Sequence, residues 1–376
     1  MTSAIDPVQL TADLIACPSV TPLSAGAFDV LEAALRQIGF EVHRFFSGQT
    51  PDGPVENMVA IRGGEGPHFA FAGHLDVVPP GDGWRSDPFR PEIRGGLLYG
   101  RGAVDMKGGV AAFVAACAET PAHRGTLSLL ITGDEEGPAV HGTKAIMAWM
   151  AERGIRPDMI LIGEPTSVDR LGDTVKIGRR GTVNMRITVP GQQGHVAYPH
   201  RADNPVPKLA RVLAALDALH LDHGTEAFEP SNLEFTAVST PTSATNIIPG
   251  SASAQLNIRF NNLHRGEELI ERVRSIAEEA APGTVVEGKV SGEAFLTPPG
   301  PLYDLVTDAI RIETGVAPVL STSGGTSDGR FLIALCPVID FGLPNATMHK
   351  LDEAAGVEDI RSLARIYARI LRSALA

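Results

Sequence analysis

Five short segments place histidine or acidic side chains where an apolar or glycine-rich run ends: Gly73-His74-Leu75-Asp76, Gly102-Ala103-Val104-Asp105, Gly133-Asp134-Glu135-Glu136-Gly137, Gly163-Glu164-Pro165 and Thr347-Met348-His349. Imidazole nitrogen and carboxylate oxygen are donors that zinc takes readily. His74 and His349, with the acids Asp105, Glu136 and Glu164, suit a pair of metal ions that share one carboxylate. Hydrolytic ion pairs sit about 3.5–4 Å apart, close enough for one side chain to touch both. The chemistry of such a pair is attack by an activated water.

Each segment has a plainer alternative. His74 and Asp76 follow a strand and lie two residues apart, so they share a face. Asp76 can then orient the imidazole, or the two can simply form a surface hydrogen bond. Asp105 sits among glycines that let ligands approach closely, yet a capping aspartate before a helix reads the same way. Asp134, Glu135 and Glu136 end the most apolar strand, where open α/β sheets place their sites. Neighbouring residues point in different directions, so one carboxylate can hold metal while the next acts as a base. The alternative is a solvated acidic turn, in which three acids would repel one another without a cation. Glu164 ends another strand, and a lone His349 is commonly structural.

The elements that must carry these groups follow from periodicity. Thr126 to Thr132 is continuously apolar, as a strand covered on both faces is. Asn57 to Ile61, His68 to Ala72 and Met159 to Ile162 read as further strands. Phe28 to Ile38, Gly108 to Ala118 and Lys144 to Arg153 read as helices, the second small-sided and packed closely on a sheet. Such alternation predicts an α/β fold with a mixed, mainly parallel sheet flanked by helices. After Lys176 the style changes. Thr182 to Val189, Leu233 to Val238 and Ala252 to Phe260 alternate as half-solvated strands do, with helices at Asn204 to Leu219 and Glu267 to Ala281. The first style resumes after Gly292, with helices near Leu302 to Glu313 and Ile360 to Leu375 and a strand near Pro337 to Phe341. The reading is a catalytic domain over 1–178 and 293–376 with a smaller α+β domain inserted over 179–292. Gly178 and Gly292 are the candidate hinges.

Bulk properties narrow the class. The chain has 376 residues, 43% of them apolar, and a net charge of −12. Nucleic acid needs clustered Lys and Arg, so it is not the expected partner. No apolar run reaches the roughly 18 to 20 residues of a membrane helix, and Met1 to Leu10 lacks a signal-peptide pattern. The three cysteines, Cys17, Cys117 and Cys336, form no disulfide framework, which fits a reducing, cytoplasmic setting.

The motifs GHLDVVPPGDGW, GRGAVDMKGG, TGDEEG, IGEPT and NATMHK, in this order and spacing, resemble the dinuclear zinc aminoacylase and carboxypeptidase family over essentially the whole chain. The resemblance implies a zinc-peptidase-like catalytic domain, an inserted dimerisation (lid) domain, a homodimer, and two zinc ions per subunit for which cobalt can substitute. It assigns His74 and Glu164 to one ion, His349 and Glu136 to the other, and Asp105 to both. Asp76 would support His74, and Glu135 would be the general base and acid. His195 would reach the oxyanion from the other subunit. Its neighbours Gly194, Val196 and Ala197 form no metal cluster, so a donor or a structural histidine are the two readings.

Within the family, the segments Lys176-Ile-Gly-Arg-Arg-Gly, Gly194-His195-Val-Ala-Tyr-Pro-His200, Ala244-Thr-Asn246-Ile-Ile-Pro249 and Ser323-Gly-Gly-Thr-Ser-Asp-Gly-Arg-Phe331 are similar to those of desuccinylases. They imply hydrolysis of N-succinyl-LL-2,6-diaminopimelate, a small anionic N-acyl amino acid, in lysine and diaminopimelate biosynthesis. Related substrates are acetylornithine, other N-acyl amino acids and C-terminal glutamate. Arg179 and Arg259 are candidates to grip substrate carboxylates, since guanidinium forms a bidentate fork. Arg180 competes with Arg179 for that place, and a surface charge is the alternative for Arg259. Asn246, Thr326 and Asn345 could add hydrogen bonds, and Gly324 and Gly325 could offer backbone N–H groups to an anion.

Overall fold

The computed structural model describes residues 4–376, so Met1 to Ser3 of the segment read for a leader lie outside it. The chain divides into two compact units, one formed by residues up to Gly178 with Thr297–Ser321 and Ser327–Ala376, the other by Arg179–Leu296 with Thr322–Thr326.

The first unit is built on an eight-stranded sheet in the order Glu41–Ser47, Val55–Gly63, Thr126–Thr132, His68–His74, Met159–Ile162, Val338–Asp340, Thr174–Lys176, Val319–Ser321. Its central strands run parallel, with His74 level with Thr132, Ala72 with Ile162 and Ile162 with Asp340. The two outer pairings on one side are antiparallel. Parallel strands put their carboxyl ends on one edge. The residues that follow His74, Thr132, Ile162 and Asp340 therefore emerge together.

The helix Lys107–Glu119 is small-sided because it lies against the sheet, and its residues from Lys107 to Cys117 are all buried. A Cβ on Gly109 would stand 2.5 Å from the Gly163 carbonyl oxygen, so only glycine allows this approach. Phe113 stacks on Phe71 at 4.1 Å between ring centres, and Tyr367 of the closing helix Val357–Ala374 meets Phe113 edge-on. Strongly amphipathic, that helix turns Ile360, Leu363, Ile366, Tyr367, Ile370 and Leu371 inward.

The second unit has a four-stranded antiparallel sheet in the order Asn232–Ser239, Ser251–Phe260, Gly181–Pro190, Val285–Gly292. Alternate residues Val183, Met185, Ile187 and Val189 pack under the helices Pro205–Asp217 and Gly266–Ala280 with Leu209, Val212, Leu216, Leu269, Ile270 and Val273. Asn204 caps the first of these helices, its side chain accepting the Val206 N–H, as that residue type favours. Among the described residues no helix is long and apolar enough to cross a membrane.

Candidate metal centre

Strand ends deliver the chemistry. His74 is the last residue of its strand, Asp134 to Glu136 follow Thr132, and Glu164 follows Ile162. Asp105 comes from the turn before the buried helix and His349 from the loop after Val338–Asp340. The structure brings all five predicted ligands together within the first unit. His74 Nε2 lies 3.2 Å from Asp105 Oδ1 and 3.7 Å from Glu164 Oε1. His349 Nε2 lies 3.2 Å from Asp105 Oδ2 and 2.8 Å from Glu136 Oε1. Three three-residue groups result among the described residues, His74–Asp105–Glu164, Asp105–Glu136–His349 and His74–Glu135–Glu136, and the candidate ligand atoms of each lie within 4.8 Å of one another. Asp105 belongs to the first two and turns a different oxygen to each histidine. That is how a carboxylate shared by two ions is presented.

The donor set fits metal for an electrostatic reason. Asp105 and Glu164 are buried and His74 is almost fully so, and five acids, Asp76, Asp105, Glu135, Glu136 and Glu164, crowd two imidazoles. Hydrogen bonds to Asp105 and Glu136 lift the His349 imidazole to about 10 although burial opposes them. For His74, burial lowers the pKa, but the hydrogen bond to Asp105 and the charges of Asp76 and Asp105 carry it well above its ordinary value. The acids thus favour positive charge at both rings, and the same negative charge suits a bound cation.

Asp76 and Glu135 do different work. Asp76 is buried. Its Oδ2 accepts the Glu136 N–H at 3.0 Å and the Thr21 hydroxyl at 2.7 Å, and its Oδ1 accepts the Glu135 N–H at 3.2 Å. Toward His74 it presents its backbone carbonyl, 2.9 Å from Nδ1, with the carboxylate at 3.6 Å. The ring is oriented chiefly by that carbonyl, and the carboxylate holds the acidic turn. Burial pushes the Glu135 carboxyl well above the usual range; His74 opposes this, while Asp328, Glu136 and Asp105 add to it. Asp134 accepts the N–H groups of Ala139, Val140 and His141 and closes the loop that follows.

The residues read as substrate contacts are divided between the two units. Arg179, Asn246, Arg259, Gly324, Gly325 and Thr326 belong to the second unit. There Arg179 is buried and its Nη1 donates to the Gly325 carbonyl at 3.0 Å. Arg180 donates to the Asn232 side chain. Burial and the nearby Arg180 charge lower the Arg259 pKa. His195 is exposed, with its Nδ1 accepting the Ala197 N–H, and the adjoining Val196 N–H bonds to the Asn246 carbonyl. Asn345 belongs to the first unit and ties its N–H to the Ser167 carbonyl.

Sequence reasoning passed over Thr21, Arg101 and Glu353. Thr21 sits in a Ser-Val-Thr-Pro stretch near the N-terminus with no local sign of its partner. Arg101 and Glu353 are both buried and pair at 2.8 Å. Arg101 stands inside the GRGAVDMKGG segment, and an arginine among so many glycines was the available signal.

The profile of the peptidase family M20/M25/M40 matches residues 70–373. The chain belongs to this family. A succinyl-diaminopimelate desuccinylase from Sphingopyxis alaskensis is 64% identical over 372 residues, covering 99% of each chain. One from Novosphingobium aromaticivorans is 60% identical over 374 residues, again with 99% of each covered. Among solved structures, a tripeptidase from Staphylococcus aureus superposes with a TM-score of 0.79 at 18% identity, covering 100% of this chain and 99% of its own. A dinuclear metal-binding M20 peptidase from Bacillus subtilis does so with a TM-score of 0.73 at 16% identity, covering 98% and 97%. At those identities the likeness is one of fold, and the family's mixed α/β architecture is the one described above.

Proposed function

We propose that this M20 enzyme hydrolyses N-succinyl-LL-2,6-diaminopimelate to succinate and LL-2,6-diaminopimelate, using two divalent ions, zinc or, in its place, cobalt. The observation that carries the substrate is the 64% identity, over nearly the whole chain, to a protein named succinyl-diaminopimelate desuccinylase. The paired ligand groups that share Asp105 support the chemistry. His74 and Glu164 would hold one ion, His349 and Glu136 the other, and Asp105 both.

Such ions supply Lewis acidity at a carbonyl and lower the pKa of water from about 15.7 to near 7. The chain's own residues do the rest. Glu135, whose carboxyl burial has made more basic, takes a proton from the attacking water. The water oxygen bonds to the succinyl carbonyl carbon, the C–N bond breaks, and Glu135 returns the proton to the leaving amine. Asp76 keeps Glu135 and Glu136 in register by holding both their N–H groups. Arg179 and Arg259 would meet substrate carboxylates, with Asn246, Thr326, Asn345 and the Gly324–Gly325 backbone completing the contacts. His195 would donate to the oxyanion from the second subunit of a homodimer formed through the inserted domain. Three free cysteines support a cytoplasmic setting. Elemental analysis of the purified protein, paired with a succinate-release assay, tests the reading. Two ions per chain and metal-dependent release are expected, and release that survives complete metal removal would overturn it.

A further inference from the structure

Glu353 and Arg101 stand outside the ligand set, yet three ligand-bearing turns meet on them. The Glu353 carboxylate accepts four hydrogen bonds: Oε1 from the N–H groups of Val104 and Asp105 at 2.8 and 3.2 Å, Oε2 from the Gly102 N–H at 3.1 Å and from Arg101 Nη1 at 2.8 Å. Its acceptor sites are thereby filled, three of them by the turn that presents Asp105. Arg101 reaches the other two turns. Its Nη1 donates to the Lys350 carbonyl, next to His349, and its Nη2 to the Pro80 carbonyl, in the turn that follows His74 and Asp76, both at 3.2 Å. The guanidinium lies over the Trp84 ring at 5.1 Å. Both side chains are almost completely buried.

The His349 turn needs such a tie. His349 and Asp352 adopt φ values of +60° and +54°, in the left-handed region that non-glycine residues avoid and that persists only where surroundings impose it. The Arg85 N–H bonds to Asp352 Oδ1 at 2.9 Å, and the Gly100 N–H bonds to the Glu353 carbonyl at 2.9 Å. The left-handed turn is therefore fastened from outside, and its principal buried fastening is also what aims the backbone of Asp105.

We infer that Glu353 and Arg101 form a positioning pair that sets Asp105 and His349 against each other, and so sets the affinity of the site for its second ion. The inference rests on the dinuclear reading above. The pair touches no substrate and no ion; it acts through the turns it holds. Partners of this kind change metal affinity by about 10- to 100-fold when removed.

The test is the metal affinity of full-length Glu353→Gln, measured by zinc titration of the metal-free protein, with circular dichroism as the check on folding. The amide side chain keeps the volume, loses the charge, and puts a donor in place of one oxygen, so two of the four hydrogen bonds lose their acceptor. Wild type should take two ions, and E353Q should bind the weaker ion about 10- to 100-fold less tightly, with kcat restored at saturating zinc. Two ions bound by E353Q with wild-type affinities would overturn the inference and leave the dinuclear reading standing. A wild type that binds no divalent ion would overturn the dinuclear reading, and the inference with it. If E353Q does not fold, Arg101→Lys, which keeps a cation but has one nitrogen in place of the two that serve Glu353 with Lys350 and Pro80, is read by the same titration with the same two outcomes.

Discussion

The carboxylate of Asp76 accepts the backbone N–H of Glu136 at 3.0 Å, so a residue that follows one strand fixes the turn that follows its neighbour. The same carboxylate accepts the Glu135 N–H. One buried acid thus sets the position of both a candidate ligand and the candidate base. Asp76→Asn keeps the shape but swaps one acceptor oxygen for a donor that faces backbone N–H groups. It should lower zinc affinity and kcat by about 10- to 100-fold. Thr21→Val removes only the hydroxyl donor at 2.7 Å and should show the same defect in milder form. Zinc titration and steady-state kinetics on both variants check this, and a Thr21 variant more damaged than the Asp76 variant would contradict it.

Glu135 separates binding from chemistry. Glu135→Gln preserves the side-chain volume and lies outside both Asp105-centred ligand groups. Metal content should stay at the wild-type level and KM should change little. The value of kcat should fall by about 10²- to 10⁴-fold, the usual contribution of a positioned base. Kinetics paired with metal analysis checks it. An unchanged rate would remove Glu135 from the mechanism.

Metal uptake should be coupled to proton release. Both imidazoles have raised pKa values in the metal-free protein, His349 to about 10, and each must be neutral to ligate. A raised pKa means that protons occupy the rings below that value and compete with metal there. Zinc affinity should therefore rise with pH up to about 10, with protons expelled on binding. Calorimetric titration in buffers of different ionisation enthalpy measures the number released, and zinc binding without proton release would contradict the prediction.

The second unit offers a stability test away from the metal. Burial raises the pKa of Asp222, but hydrogen bonds from Ser231, Gly224, His264 and Asn261 outweigh it and hold the carboxyl well below its usual range. A depressed folded-state pKa adds stability that is complete above the unfolded value of about 3.9 and is lost as pH falls toward the folded value. Asp222→Asn should cost on the order of 2 kcal/mol at neutral pH, the worth of a hydrogen bond to a charged group. Its penalty should shrink as the solution is acidified. Thermal unfolding of both proteins from neutral to acid pH checks it; a penalty that grows in acid would contradict the sign.

What the sequence disclosed follows from what is local. The strand Thr126–Thr132 was legible because Leu127, Leu129, Leu130 and Ile131 dominate it and no charge interrupts it, and the acids after it were conspicuous because they break that run. The clustering of His74, Asp105, Glu136, Glu164 and His349 was legible from their motifs. Short strands such as Thr174–Lys176 and Val319–Ser321 span too few residues to show a period. The roles of Thr21, Arg101 and Glu353 were hidden for another reason. Each acts through a hydrogen bond to a residue 55 positions or more away, and such a partner leaves no mark on neighbouring residues. The same holds for the Arg179–Gly325 contact, which only the folded second unit brings together.

The most direct measurement is a side-by-side assay of the purified, zinc-loaded enzyme on N-succinyl-LL-2,6-diaminopimelate and on acetylornithine, at equal concentrations. The account predicts that succinate release from the first is much the faster, and that chelation abolishes it. Faster turnover of acetylornithine would contradict it.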